Sequence, residues 1–242
     1  MRCTLFFSLK HEKLPGDLRH SIISFIKTAL TQSQKGEFFP YFFDQTKAKP
    51  YTWSLILHQP VFAAECITVT QLDCKIRVSV MNRNGMERVF ISSLMAMRGI
   101  EFPLAFGNYL CLQRVQLEKD ISIQTPHILV KTVLGGGICV RNHNRQNNTD
   151  IYYAVDDASF NDYLTITVKH QLERLKLPAD SLAITCVEGK KVMVRHMYGQ
   201  FFPVTIGYFY LQGNPYVLEQ LVAMGIGSRR SQGYGMVQVV SV

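Results

Sequence analysis

Two adjacent arginines, Arg229 and Arg230, lie inside a glycine-rich segment close to the end of the 242-residue chain. Guanidinium groups form paired hydrogen bonds to phosphate oxygens, and the backbone N–H groups of a tight loop can also hold an anion. Glycine lets such a loop pass close to a ligand or to another strand. The segment, residues 225–235, is therefore a candidate anion-binding site, and the alternative is a tight connection with two solvated arginines. The candidate binding residues are Gly225, Gly227, Ser228, Arg229, Arg230, Ser231, Gly233 and Gly235.

A second polar cluster occupies residues 141–150, which are rich in asparagine and arginine and predict a loop. Arg141, His143 and Arg145 could contact phosphates there, and the neighbouring asparagines could contact unpaired bases. A solvated loop without a ligand would have the same composition. Weaker candidates for phosphate contact are Arg195 and the tip of a predicted hairpin, which carries Lys190 and Lys191.

The charge balance favours a polyanionic partner. The formal net charge is +8 and the sequence pI is about 9.2, which suits nucleic acid first and an anionic membrane surface second. The six cysteines form no C-x-x-C pair and lie mostly in apolar stretches, as is typical of reduced thiols in a cytosolic protein. We expect a cytoplasmic protein, because the sequence contains neither a secretory signal nor an apolar run of membrane-spanning length. No metal-ligand spacing or phosphate-loop motif occurs, so we expect no metal or organic cofactor.

The first half of the chain predicts the element order strand, helix, strand, strand, helix, strand. Between the first helix, which begins near Asp17, and the second strand, residues 38–43 form an aromatic run that we expect to be a loop. The predicted strands are residues 2–9, 51–57, 73–81 and 109–117, and the second helix is residues 89–97.

The second half repeats that order. Residues 121–134 and 138–140 predict strand on either side of three glycines, and two strands, 183–187 and 192–197, flank a turn at 188–190. The remaining predicted elements are a helix at 156–176, a strand at 202–211, a helix at 215–224 and a strand at 234–242. The fold class expected is α+β with two tandem ferredoxin-like (βαββαβ, RRM-like) domains, residues 1–119 and 120–242.

Three motifs carry a resemblance to a known family. Gly225-Ile226-Gly227 and Gly233-Tyr234-Gly235, with two arginines between them, resemble the carboxyl-terminal glycine-rich loop of the RAMP superfamily of CRISPR-associated RNA-binding proteins. Lys49-Pro50-Tyr51-Thr52-Trp53-Ser54 is similar to the K-P-[FY]-[ST]-[FW]-S strand of its sixth numbered Cas family, the endoribonuclease that cuts CRISPR repeat transcripts into guide RNAs. Residues 130–133 and 138–141 resemble its V-K-T…S-P-I-V-V-R segment, with Leu-Gly-Gly-Gly in place of Ser-Pro.

The resemblance implies a protein that binds CRISPR repeat RNA in the cleft between two domains or along a positive face. It also implies a metal-independent cut, in which the ribose 2′-hydroxyl attacks the adjacent phosphate and leaves a 2′,3′-cyclic phosphate and a 5′-hydroxyl. That reaction uses a base for the 2′-proton, an acid for the leaving oxygen and a cation for the developing charge.

Many members of the family place a histidine a few residues before the K-P-[FY] strand, and Phe43 aligns with that position here. Three alternatives follow. The chain could cut slowly, with Lys47 or Lys49 stabilising charge and Tyr41 transferring or orienting a proton. His20 or His143 could take the histidine's role. The protein could also bind repeat RNA without cutting it.

Two rival functions remain open at this point. One is a non-catalytic RAMP subunit that holds repeat or guide RNA in a CRISPR effector complex. The other is a ferredoxin-like module that binds a phosphorylated small ligand or a protein. The expected partners are repeat RNA, CRISPR effector subunits and, because dimers occur in the family, a second copy of the chain; no membrane partner is expected.

Overall fold

The computed structural model describes residues 1–43, 48–195 and 199–241, and these form two main antiparallel sheets and two small ones, together with helices. In the described part of the first half, the strands are β1 (Arg2–Leu9), β2 (Lys13–Pro15), β3 (Tyr51–Leu57), β4 (Val61–Phe62), β5 (Cys66–Thr68), β6 (Asp73–Val80), β7 (Glu101–Pro103) and β8 (Tyr109–Glu118). The helices there are α1 (Leu18–Gln32), α2 (Phe39–Phe43) and α3 (Met86–Ala96).

The main sheet of the first half has the order β3-β6-β1-β8-β7, and β2, β5 and β4 form a separate small sheet. Its four long strands follow the ferredoxin-like arrangement, in which the first strand lies between the third and the fourth. The apolar residues of α1 recur every three or four positions, so they share one helical face, which packs on the sheet. The predicted fold class is confirmed for this half.

The second half adds β9 (His127–Thr132), β10 (Val140–Asn144), β11 (Thr149–Tyr153), α4 (Phe160–Arg174), β12 (Ala183–Arg195), β13 (Phe201–Gln212), α5 (Pro215–Met224) and β14 (Val237–Ser241). Its main sheet has the order β12-β13-β9-β14, the same arrangement again. A second apolar core lies between this sheet and its two helices. The connection between β8 and β9, residues 119–126, joins the two halves.

One predicted hairpin is wrong. Residues 183–195 form one continuous strand, β12, that pairs along the whole length of β13. Gly189 lies opposite Gly207, and a register shift between Cys186 and Glu188 keeps the ladder intact through the turn-like Glu-Gly-Lys sequence. Lys190 and Lys191 therefore lie within a strand, and Lys191 forms an ion pair with Asp156.

Two predicted loops are also ordered elements. The Asn-rich residues 141–150 lie mostly in the β10–β11 hairpin, in which Val140 pairs with Tyr153 and Asn144 pairs with Thr149. The aromatic run at 38–43 contains α2, because Phe42 is buried against Phe90 and Tyr51. Composition indicated loops in both places, whereas ladder hydrogen bonds and ring packing determine the structure.

Helix α5 lies between the two halves. It contacts β3 and β6 of the first sheet as well as β9 and β14 of the second, and its buried residues lie on most sides of the helix. The buried apolar residues of α5 belong to the second apolar core, and the helix packs against the first sheet as well. Among the described residues, no helix has the length and apolarity needed to cross a bilayer.

Candidate functional site

The glycine-rich segment, residues 225–235, packs along β3 of the first half. Thr52 donates its hydroxyl to the carbonyl of Tyr234 at 2.7 Å, and the indole N–H of Trp53 donates to the carbonyl of Ser231 at 2.9 Å. Both donors belong to the strand motif that resembled a family signature. Two motifs that lie about 180 residues apart in the chain are therefore one structural unit.

The backbone N–H groups of this segment are largely used by the protein itself. Their acceptors are carbonyl oxygens, in the pairs Gly225 to Leu221, Ile226 to Gly235, Ser228 to Cys139, Gly233 to Arg230 and Gly235 to Gly137. The prediction that these glycines cradle an anion with their amides therefore needs correction at Gly225, Gly233 and Gly235. Gly227 also serves close packing, since a Cβ there would lie 2.6 Å from the carbonyl oxygen of Cys139.

Arg230 does not lie where a bound phosphate could reach it. The residue is 7% exposed, and its guanidinium donates to the carbonyl of Met224 at 2.8 Å. Burial lowers the pKa of Arg230 to about 9, partly offset by nearby Tyr51. The group supplies a donor to a carbonyl in the last turn of α5, which helix geometry leaves without a partner. Because the side chain is enclosed by the protein, we do not include Arg230 among the proposed phosphate contacts.

Arg19, at the start of α1, was not predicted as a functional residue. Its guanidinium donates to the carbonyls of Gln232 at 3.1 Å, Gly233 at 2.7 Å and Gly135 at 2.9 Å. It also lies over the ring of Tyr234, 4.4 Å from the centroid, and burial lowers its pKa. In the sequence, Arg19 looks like any polar residue of an amphipathic helix. No local pattern indicates that it contacts the glycine-rich segment.

Arg229 has different partners from Arg230. Its backbone adopts a left-handed conformation with φ of 57°, and its side chain is 12% exposed. The guanidinium donates to Gln232 at 3.1 Å, to a carboxylate oxygen of Asp150 at 3.3 Å and to the hydroxyl of Tyr152. It also lies 5.2 Å from the ring centroid of Phe202. Of the two predicted arginines, Arg229 is therefore the one that meets the β10–β11 hairpin.

Asp150 collects charged partners from two distant parts of the chain, and we call Arg141, His143, Asp150, Tyr152 and Arg229 the Asp150 cluster. The carboxylate contacts Arg141 at 3.1 Å, His143 at 2.8 Å and the hydroxyl of Tyr152 at 3.1 Å, in addition to Arg229. Burial acts to raise the pKa of Asp150, but hydrogen bonds from His143 and Arg141 outweigh it, so the pKa lies below its usual value. At neutral pH the cluster holds two guanidinium groups against one carboxylate, which leaves it net positive.

The structure brings three of the predicted binding residues together. Arg141 and His143, on β10, meet Arg229 of the glycine-rich segment at one carboxylate. Arg145 is exposed in the turn of the same hairpin. Ser228 and Ser231 serve the backbone of the segment, through the amide of Ser228 and the carbonyl of Ser231.

The predicted catalytic residues lie around α2 and the start of β3. Tyr41 is half-buried with its ring edge against Phe42, and burial raises its pKa, so the phenol is a proton donor rather than a base at neutral pH. Lys49 is half-buried one residue before the Pro50 that leads into β3. Lys47 lies outside the described residues. Phe43 stacks on Phe39 with centroids 5.1 Å apart.

His20 is placed apart from α2. It is exposed in the first turn of α1, and Phe43 of α2 meets α1 at Lys27, whose ammonium lies 5.4 Å from the ring centroid. At 1.5 Å of rise per residue, the seven positions between His20 and Lys27 separate them by about 10 Å along the helix. His20 is therefore a poor candidate for a proton-transfer partner of Tyr41.

A cleft of about 940 Å³ lies between the halves. Its walls are mostly apolar, and its charged residues include Arg19 and Arg195. Arg195, a weaker candidate from the sequence, is therefore at a surface that a ligand could enter. Among the described residues, no group of three histidine, cysteine or acidic side chains is placed to hold a metal ion.

Comparisons with known proteins agree with this architecture. The family model described as "CRISPR associated protein Cas6, C-terminal" matches residues 117–239, half of the chain. A solved structure described as a Cas6-related gene product from Pyrococcus furiosus superimposes with a TM-score of 0.79 at 14% identity, over 99% of this chain and 98% of that one.

Two further solved structures superimpose over nearly the full length of both chains. One, described as a RAMP protein that binds different RNA substrates, has a TM-score of 0.76 at 14% identity over all of both chains. The other, a Cas6 product complex, has a TM-score of 0.68 at 12% identity over 99% of this chain and 100% of that one. At these identities the structural likeness shows the fold alone. No curated protein matches the chain.

Replacing Gly235 by alanine tests whether the segment depends on close backbone packing. Gly235 has φ of +75°, and a Cβ there would lie 2.1 Å from the carbonyl oxygen of Ile226. Gly99 is a matched control, because its φ is +77° and a Cβ would meet nothing within 4 Å. We expect Gly99→Ala to lower the free energy of unfolding by about 1 kcal/mol, the cost of the left-handed backbone. Gly235→Ala should cost about 2 kcal/mol more, from overpacking. Urea unfolding measures both, and equal losses would contradict the account.

Proposed function

The chain belongs to the Cas6 family, and from this premise we propose that it binds CRISPR repeat RNA and cuts the precursor transcript into guide RNAs. The cut proceeds by attack of a ribose 2′-hydroxyl, without a metal or organic cofactor. The protein acts in the cytoplasm with repeat RNA as its partner. Candidate protein partners are subunits of a CRISPR effector complex and a second copy of the chain.

The Asp150 cluster is the observation that carries the binding proposal. Arg229 and Arg141 lie on separate elements and share one carboxylate, so both guanidinium groups are held in place before a ligand arrives. An oriented guanidinium loses little entropy when it binds a phosphate. The overall charge of +8 adds long-range attraction for RNA.

The proposed reaction needs few groups. The 2′-oxygen loses its proton to a base and bonds to phosphorus, the bond from phosphorus to the 5′-oxygen breaks, and that oxygen takes up a proton. Tyr41 is suited to supply the last proton, because its phenol stays protonated at neutral pH. Lys49 is suited to stabilise the charge on the phosphorane as an ammonium group. Lys47 is proposed for the same electrostatic role from the sequence alone.

A second function, RNA binding without cutting, is favoured by one specific observation. Phe43, which aligns with the family's histidine, packs between Phe39 and the side chain of Lys27. A hydrocarbon ring can neither accept the 2′-proton nor donate one. If no other group replaces the histidine, the protein holds repeat or guide RNA as a non-catalytic subunit.

Arg229→Gln tests the binding site. The change removes one positive charge and keeps a polar side chain, so it should weaken binding of repeat RNA about tenfold and reduce the slope of log affinity against log salt by about 1. Fluorescence anisotropy of labelled RNA across a salt series measures both quantities. Arg88→Gln on α3 is the control, since Arg88 is an exposed arginine outside the Asp150 cluster.

Equal effects of the two substitutions would mean that only the total charge matters. No effect of Arg229→Gln would remove the Asp150 cluster from the RNA interface. If the wild-type protein binds a phosphorylated small molecule but has no affinity for RNA, the result would instead support the rival ligand-binding module.

Cleavage is tested with labelled repeat RNA in the presence of EDTA, beside a matched RNA with a single 2′-deoxy at the cut site. We expect the first RNA to be cut into a product with a 2′,3′-cyclic phosphate end and the second to stay intact, because the nucleophile is missing. Lys49→Ala should slow the cut by about 100-fold if it stabilises the developing charge. If the protein binds both RNAs tightly and cuts neither, the proposed nuclease activity is wrong and the non-catalytic RNA-binding function is supported.

A further inference from the structure

The face of the first sheet opposite α1 and α3 carries a row of side chains away from the Asp150 cluster. Ile56 of β3 pairs with Lys75 of β6, Lys75 pairs with Phe6 of β1, and Phe6 pairs with Arg114 of β8. Directly opposed residues of antiparallel strands point to the same face, so the four side chains form one line across the sheet. Neighbouring strands are about 4.8 Å apart, so this line is about 14 Å long.

The ring of Phe6 lies close to two cationic side chains. The guanidinium carbon of Arg114 is 4.0 Å from the centroid of the Phe6 ring, and the ammonium of Lys75 is 5.5 Å from it. Phe6 is half-buried and Arg114 is exposed. In the described part of the chain, neither cation takes part in an ion pair.

The next row of the same face is different. Arg77 forms an ion pair with Glu118 at 2.7 Å, and Thr4 donates to the same carboxylate at 3.0 Å. Farther along, Arg2 is buried under the end of α5 and donates to the carbonyls of Val222 and Val237. The protein thus covers or neutralises one end of this face and leaves two positive charges around an aromatic ring at the other.

That combination fits single-stranded RNA. Bases of unpaired RNA stack on aromatic rings and on arginine guanidinium planes, while cations beside them hold the backbone phosphates. A guanidinium that already lies over Phe6 has its outer face available to a base. The row also begins at the cleft between the halves, because Ile56 is part of the cleft wall. A strand leaving the cleft would meet Lys75, Phe6 and Arg114 in that order.

We propose that Phe6, Arg114 and Lys75 form a stacking site for one base of single-stranded RNA, with the two cations holding the adjoining phosphates. The ligand is RNA because the protein is a repeat-RNA binder, so the inference rests on the proposed function in that respect. The site accepts any base, since every base has a face to stack. It extends the RNA interface from the cleft onto the first sheet.

A fluorescent base analogue tests the stacking directly. The probe is a 12-nucleotide single-stranded RNA of unrelated sequence with 2-aminopurine at successive positions, because stacking quenches its fluorescence. We expect quenching by the wild-type protein. Phe6→Leu and Arg114→Gln should each bind the probe about tenfold more weakly and lose the quenching, whereas Phe6→Tyr should retain both. Circular dichroism and thermal unfolding check that each variant is folded.

Lys13→Gln is the matched control, because the ammonium of Lys13 also lies over a ring, 4.3 Å from the centroid of Phe106, outside this row. It should leave the quenching unchanged. Folded Phe6→Leu and Arg114→Gln variants that bind and quench like the wild type would overturn the stacking site.

Preference of the wild-type protein for repeat RNA over a scrambled sequence is measured in parallel and reports on the proposed function separately. If that preference is present but Phe6→Leu changes nothing, only the stacking site fails. If the probe is quenched through Phe6 but the preference is absent, the stacking site stands and the repeat-RNA function fails.

Discussion

The last turn of α5 leaves carbonyl oxygens without helical partners, and the way in which they are satisfied determines how the two halves meet. Arg2 of the first strand donates to the carbonyl of Val222, Arg230 donates to that of Met224, and Gln171 of α4 donates to that of Gly225. Buried charges are stable only with such partners, and burial lowers the pKa of Arg2 to about 10. Donors from both halves therefore fix one helix end, and the glycine-rich segment begins there.

The contacts at this end of α5, which we call the joint between the halves, explain why the two arginines of the glycine-rich segment have different roles. Arg230 is buried and completes the helix end, while Arg229, which has a left-handed backbone, meets Asp150. Arg19 holds the far end of the segment through the carbonyls of Gln232 and Gly233, and it also donates to the carbonyl of Gly135. A rigid joint places Arg229 beside the β10–β11 hairpin, so the structural role of the glycines and the proposed RNA contact depend on the same packing. The glycines permit close approach more than they bind a ligand.

The sequence predicted the fold class well, whereas it gave no sign of several contacts that build the site. Alternation in β6 and helical periodicity in α1 are local signals, and both elements formed as predicted. The sequence alone cannot distinguish the roles of Arg229 and Arg230, because the two arginines are adjacent. Their roles differ only through tertiary packing. Arg19 acts on a carbonyl 213 residues away, beyond any local pattern. The Asn-rich hairpin was predicted as a loop from its composition. The hydrogen bonds between its two strands hold it extended, and composition does not reveal them.

The central claim is that repeat RNA lies against the joint between the two halves. Photo-crosslinking of the full chain to repeat RNA containing 4-thiouridine, followed by mass spectrometry of the crosslinked peptides, tests it most directly. The account predicts crosslinks in the β10–β11 hairpin and in residues 228–232, with fewer when the RNA sequence is scrambled. Crosslinks confined to other surfaces, with those two segments unmarked, would contradict the account.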